Sequence, residues 1–569
     1  MKKYHPTAGT VFDLLMNLDR LHHYMTDLAE KYKTYRLINL FHGEVHTSDP
    51  ANVEYILKTN FKNYGKGKHN HSVMEDLLGD GIFTVDGELW RQQRKVASNE
   101  FSTKVLRDFS SKIFMENAIK LGNIMSKAAN SKQILDINDL FMKATMDSIF
   151  KVGFGINLDN LSGPSGEGVR FSRAFDEANT LVFRRFVDIT WKIKKFLNIG
   201  SEAVLKKNMK VIDEFIYKVI QIKIEQMHNL KDEFLFNRDD VLSRFVQIND
   251  RDPKYLRDII LNFVLAGKDP IAITMCWFIY MLCKHPEVQE EVAKEIKEAT
   301  NTLEEVTNVA DFAARLSDEA LEKMQYLHAA LTETIRLYPA LPVDPKICFS
   351  DDVLPDGCNV KKGDVVAYMP YAMGKMKFIW GDDAPEFKPR RWLDHNGRFH
   401  PENPFKFTAF QAGPRTCLGR EFAYRQLKIF SSVLLGCFMF KLSDETKIPK
   451  YKISINLHID GPLPVRVFSR FPYPRNTFLL WQDQSPEVVA MLITSSGLTT
   501  SISLGKPAQM ESRKTVLVTS GLSKVAIDPK GFIGIRSVAD AVEYLHSGKT
   551  NGNVVVCIDP SFSQQMAKL

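Results

Sequence analysis

The 569-residue chain has no block of lysine or arginine, and its net charge at pH 7 is a mild +7. That excludes the basic arm of a nucleic-acid binder, so no nucleic-acid partner is expected. Short basic runs such as 192–195 read as solvated helix faces, with attraction to an anionic membrane surface or an acidic electron donor as the lesser alternative. No window reaches the roughly 18 to 20 apolar residues that span a bilayer. The opening Met1-Lys2-Lys3-Tyr4-His5-Pro6 lacks the apolar region of a signal peptide. Cysteine is sparse: Cys276, Cys283, Cys348, Cys358, Cys417, Cys437 and Cys557 are scattered, odd in number and without CxxC or zinc spacing. This excludes a disulfide framework and implies a reduced compartment. The sequons at Asn70 and Asn160 read as chance matches. What remains is an ordinary soluble composition, 44% hydrophobic and 25% charged, long enough for several domains or one large fold.

Against this background residues 407–428, FTAFQAGPRTCLGREFAYRQLK, stand out. Cys417 lies between Gly413 and Gly419, after Phe410 and Arg415, and 420–435 follows with helical apolar spacing. A tight loop therefore feeds a helix N-terminus. A thiolate there meets the positive end of the helix dipole and loop N–H groups, which favour the anion and make it a candidate haem-iron ligand. The glycines would admit a flat macrocycle where a Cβ would collide, Phe410 would wall the sulfur from water, and Arg415 would pair with a propionate. These five residues fill F-x-x-G-x-R-x-C-x-G, the haem-binding signature of the cytochrome P-450 superfamily, which the chain thus resembles over about residues 5–470. The resemblance implies a mainly α fold with small β-sheets, haem b as cofactor and Cys417 as the metal ligand.

Further motifs support the same resemblance. Trp90 and Arg94 stand at i and i+4 of a helical stretch after the glycine-rich loop 79–83. The family's W-x-x-x-R helix implies that Arg94 serves a haem propionate, with Trp90 in a lesser role. Residues 171–197, rich in Phe and Trp, fit the family's mobile access helices. Residues 255–284 are apolar nearly all round, so they form a buried helix. There Ala266, Gly267 and Asp269 match the family's A-G-x-D-T-T pattern on the oxygen side, and Pro270 and Ile271 do not. In the family that first threonine, with the preceding acid, helps deliver protons to bound dioxygen. Pro270 has no hydroxyl and should kink the helix by removing the bond to the Ala266 carbonyl. Asp269 and Thr274, one turn on, are the catalytic candidates, and leaky oxygen activation is expected. Glu333 and Arg336 at i and i+3, with Arg391 from 387–392, match the family's buried carboxylate–guanidinium cluster, a structural role. Residues 342–349 and 365–369 read as strands joined through the turn at 355–357, and 451–468 alternates as a hairpin would. Residues 371–383 and Asp344-Pro345-Lys346 resemble the plant clan that hydroxylates long-chain fatty acids at the ω end.

After residue 470 the sequence changes character. Residues 471–484 read as a linker. Residues 485–520 suggest helix, helix, strand and resemble medium-chain, zinc-type quinone oxidoreductases; 536–548 and 554–558 resemble that family's last helix and strand. No GxGxxG follows the strand near 520, so this α/β fragment lacks the nucleotide-binding core.

The resemblance therefore implies a fatty-acid ω-hydroxylase using dioxygen and electrons from an NADPH-dependent flavoprotein reductase. A lipophilic substrate, a membrane surface and a monomeric state go with it. The endoplasmic reticulum membrane, cytosolic face, is the implied location, with the N-terminal anchor absent from this chain. The alternatives are a fatty-acid hydroperoxide isomerase or dehydratase, for which Pro270 is harmless, and a catalytically impaired haem-binding pseudoenzyme.

Overall fold

The computed structural model describes residues 13, 16–38, 43–101, 104–161, 163, 166–186, 188–229, 240–248, 252–301, 306, 308–452 and 454–471, with strands at 515–518, 532–533 and 554–557. By its internal contacts the chain forms two units, Met1–Arg470 and Phe471–Leu569. Each is described by itself.

The first unit is mostly helical. The helices that position the site are α1 (Leu21–Tyr32), α2 (Gly67–Leu78), α3 (Gly87–Phe101), α4 (Lys104–Ser131), α5 (Ile137–Phe154), α6 (Glu167–Arg184), α7 (Trp191–Leu197), α8 (Gly200–Asn229), α9 (Pro253–Lys284), α10 (Gln325–Leu337) and α11 (Arg420–Cys437). The long helix α9 sits at the centre. Asp252 caps it by accepting a 3.0 Å hydrogen bond from the Lys254 N–H, and Pro253 occupies the first turn, where an N–H has no partner anyway. Apolar side chains on all its faces require burial on all sides, and α9 packs against α5, α8, α10 and α11. Its most apolar window, of mean hydropathy 1.5, is long enough to cross a membrane by composition, and 78% of it is buried inside the protein. Lys268 and Asp269 interrupt the apolar run of this helix. Helix assignment continues unbroken through Pro270. Proline removes only one ladder bond there.

Two of the three small sheets described in this unit bear on the site. The strands are β1 (Thr34–Ile38), β2 (Gly43–Thr47), β3 (Tyr64–Gly65), β4 (Leu135–Asp136), β5 (Asp344–Cys348), β6 (Val365–Tyr368), β7 (Phe438–Leu442) and β8 (Pro464–Ser469). The first sheet runs β1-β2-β6-β5-β3, with only the β2–β6 pair parallel. The second runs β4-β8-β7. The alternating stretch at 451–468 is not a hairpin: Tyr451 and Ile459 share a single bridge, and β8 pairs with β7 and β4. Its apolar alternation is satisfied by a strand 22 or more residues earlier, which periodicity alone does not reveal. Asn70 and Asn160, the two sequon asparagines, are buried, and the six cysteines of this unit are free.

In the second unit the described strands β9 (Thr515–Val518), β10 (Phe532–Ile533) and β11 (Val554–Cys557) form a sheet in the order β9-β11-β10. β9 runs antiparallel and β10 parallel to β11. Strands stand where the sequence suggested at both ends; the helices expected at 485–514 and 536–548 lie outside the described residues.

Candidate functional site

The loop entering α11 is shaped by close approach. Gly413 has φ +65°, and a Cβ there would lie 2.0 Å from the Leu57 carbonyl oxygen. Only glycine lets the 413–415 turn rest on this backbone. The missing side chain thus serves a close contact within the protein. Gly419, with φ −88°, is under no such constraint; a Cβ there would meet only the Cys417 Sγ, at 3.9 Å. The Cys417 N–H donates to the Phe410 carbonyl at 2.8 Å. Phe410 is wedged between Tyr424 and Phe407, with ring centroids 5.3 and 6.4 Å away, as a wall beside the sulfur would be.

Cys417 is exposed, yet enclosed deeply enough for burial to push its thiol up. The Gly419 N–H and the charges of Arg94 and Arg420 pull the other way without prevailing. The expectation that helix and loop alone would favour the thiolate is corrected: desolvation is the larger effect. A metal ion at the sulfur would supply the missing positive charge. Among the described residues no group of three or more His, Cys, Asp or Glu could hold a metal.

Around the loop lies a set of cations. The Arg415 guanidinium stacks over the Trp90 ring at 4.5 Å. Its Nη2 donates to the Val85 carbonyl at 3.1 Å and to Asp86 at 2.7 Å, and its buried Nε has no partner. Arg94 donates to the Thr416 carbonyl. Trp90 and Arg94 of α3 therefore both reach the cysteine loop, Trp90 through Arg415. Lys346 and Lys66 join them through Asp344, at 2.7 and 3.3 Å. Asp344 and Lys346 are buried on one face of β5, and Tyr368 donates to Asp344 at 2.7 Å. Burial pushes the Lys346 ammonium down to about 7; Asp344 resists this, while Lys66 and Arg415 add to it. Four cations thus face two carboxylates, Asp86 and Asp344. The excess of positive charge and the orphaned Arg415 Nε fit the propionates of a haem, which Arg415, Arg94 and Lys346 would hold. Sequence reasoning missed Lys66 and Lys346. The signal was there in Asp344-Pro345-Lys346: two charges alternating onto the buried face of a strand are out of place unless paired.

The oxygen-side candidates are arranged differently from what the resemblance implies. The Thr274 hydroxyl donates to the Pro270 carbonyl at 2.7 Å, within its own helix. Asp269 is 1% exposed and pairs with the adjacent Lys268 at 3.0 Å. Burial alone would raise its pKa, but Lys268 and His458 overcome this and hold it well below the usual carboxylate range. Farther from the loop, Glu333, Arg336 and Arg391 come together: Arg336 pairs with Glu333, and Arg391 Nε lies 3.5 Å from the same carboxylate.

Comparison with known proteins agrees with this geometry. Residues 2–461 match the Cytochrome P-450 family. Cytochrome P-450 704C1 of Pinus taeda is 52% identical over 472 residues, 80% of this chain and 90% of that protein. Cytochrome P-450 704B1 of Arabidopsis thaliana is 44% identical, covering 82% and 94%, and cytochrome P-450 94A1 of Vicia sativa is 36% identical, covering 83% and 91%. With its cysteine loop, its helical architecture and these relatives, the chain belongs to the cytochrome P-450 family.

Proposed function

We propose that the protein is a haem-thiolate monooxygenase that hydroxylates long-chain fatty acids at the ω end. One atom of dioxygen enters the terminal C–H bond and the other leaves as water, with two electrons and two protons consumed; the haem supplies this oxidising chemistry when bound. Cys417 would hold the haem iron through its sulfur, and Phe410 would shield that sulfur from water. Gly413 shapes the loop, with Gly419 beside the sulfur, while Arg415, Arg94 and Lys346, with Trp90 stacked on Arg415, would anchor the propionates. The observation that carries the reading is the cluster of cations, Arg415, Arg94, Lys66 and Lys346, beside an accessible, loop-borne cysteine. A reduced carbon-monoxide difference spectrum tests it, followed by optical titration with a long-chain fatty acid. A thiolate-type band that vanishes in Cys417→Ser, and a saturable spectral shift with fatty acid, are expected. Hydroperoxide turnover without reductase would point to the isomerase instead.

Electrons come from an NADPH-dependent flavoprotein reductase, and the protein works as a monomer at the cytosolic face of the endoplasmic reticulum membrane. A membrane-facing surface is supported by α7 and its flanks. Ile189, Ile193, Phe196, Leu197 and Ile199 are exposed there, Phe196 by 88%, beside Lys192, Lys194 and Lys195. Residues 471–484 act as a linker, and 485–569 are an incomplete quinone-oxidoreductase-like fragment with no cofactor site of its own. Equal NADPH binding by the full chain and by a chain ending at residue 470 is the expected result.

A further inference from the structure

Asp269 occupies the place where the family resemblance implies a proton-delivering acid, yet both oxygens of its carboxylate are already engaged. Lys268 Nζ holds Oδ1 at 3.0 Å and also pairs with Asp176 of α6. Oδ2 accepts from Asn179 of α6 at 3.3 Å and from Asn456 at 3.3 Å, and His458 Nε2 lies 3.6 Å away. Two separate segments, α6 and the turn at 454–459, thus converge on one carboxylate of α9. The turn has further anchors: Leu457 donates its N–H to the Ala340 carbonyl at 2.9 Å, and Trp277 of α9 donates to the Leu457 carbonyl at 3.0 Å. The Asn179 side chain is buried too, and its Oδ1 has no partner.

We infer that Asp269 is a positioning residue that ties α6 and the 454–459 turn to α9, rather than a donor of protons. A proton donor must be able to take up a proton. Here Lys268 faces it from its own helix, His458 from the turn and Asp176 from α6, and the two cations favour the carboxylate anion. Protonating it would strand Lys268, which is 2% exposed. Its chemistry is that of a buried hub accepting several donors, whose loss loosens the parts it joins. This rests on the monooxygenase reading above.

The test compares Asp269→Asn with Asn456→Ala, which cuts one tie from the far side and leaves α9 intact. Both are studied as holoenzyme, with the carbon-monoxide spectrum confirming an intact haem site. The expected result is faster hydrogen exchange in 454–459 and in α6 for both variants. Dodecanoic acid binding, read from the optical shift of the ferric protein, weakens about tenfold in both, the equivalent of losing one charge-assisted hydrogen bond. The fraction of NADPH electrons lost to peroxide changes in parallel in the two. The inference is overturned if Asp269→Asn raises peroxide alone while its exchange and binding match the unaltered protein. Hydrogen exchange needs no substrate, so a protein that ignores dodecanoic acid refutes the fatty-acid reading while the exchange result still decides the tie.

Discussion

The Arg336 guanidinium donates two parallel 2.7 Å hydrogen bonds, from Nε and Nη2, to the carboxylate of Glu333 one turn earlier on α10, and neither side chain has any exposed surface. The pair is saturated on both sides. Arg336 also reaches the carbonyls of Gly374, Ala384 and Glu386. Glu333 accepts from the Trp392 indole at 2.8 Å and the Lys388 N–H at 2.9 Å. It thereby joins α10 to the 374–392 segment ahead of the cysteine loop. Glu333→Gln leaves a buried guanidinium without its counter-charge and should cost about 3–5 kcal/mol. Urea unfolding of the holoenzyme will read this as a lowered midpoint, and Arg336→Lys, which cannot keep the fork, will not restore it.

At Gly413 a methyl group has no room and the wrong backbone. Gly413→Ala should introduce about 1–3 kcal/mol of strain from the left-handed φ alone, plus the clash with the Leu57 carbonyl. The loop must move, and haem content per chain after purification should drop. Gly419→Ala, facing only the Cys417 sulfur at 3.9 Å, should fold normally and disturb only the spectrum.

Removing cations from the surplus should release the haem. Arg415→Gln loses the buried Nε donor and the contact with Asp86, worth about 2 kcal/mol of haem affinity or roughly thirtyfold in dissociation. Lys346→Met should act in the same direction. Transfer of haem to apomyoglobin measures both. An unchanged transfer rate in Lys346→Met would mean that Lys346 serves only Asp344.

Acid should weaken the fold through His22. Its ring is buried between Tyr371 and Tyr451, with centroids 5.6 and 5.0 Å away, and neither nitrogen has a hydrogen-bond partner. Burial, with Lys375 and His23 adding to it, lowers its pKa to about 4. An unfolded histidine takes up its proton near pH 6.5, before the folded one does. The contribution to stability is therefore intact above about pH 6.5 and is lost as the pH falls toward 4, by about 3 kcal/mol. His328, held down to about 3 chiefly by burial, acts with the same sign. His22→Phe should flatten the pH dependence of the unfolding midpoint between pH 6.5 and 4 relative to the unaltered protein.

Pro270→Thr returns the hydroxyl that the family pattern carries. If its absence makes oxygen activation leaky, the variant will put fewer NADPH electrons into peroxide and more into hydroxylated fatty acid. Product coupling as tight in the unaltered protein as in the variant would show that Pro270 does no harm.

The cysteine loop, the Glu333, Arg336 and Arg391 positions and the buried course of α9 were legible in the sequence because each is local: fixed spacing along a loop, one turn of a helix, or apolar residues on every face. Distances across the chain were not. Tertiary structure alone placed Lys66 and Lys346 beside Arg415, since residues 280 positions apart meet only when β3 pairs with β5. It alone set β8 against β7 in place of a hairpin. And it alone turned Asp269 toward Lys268, Asn179 and Asn456: a motif specifies which residue stands on the helix, but the charges that fold around a buried carboxylate decide whether it can hold a proton.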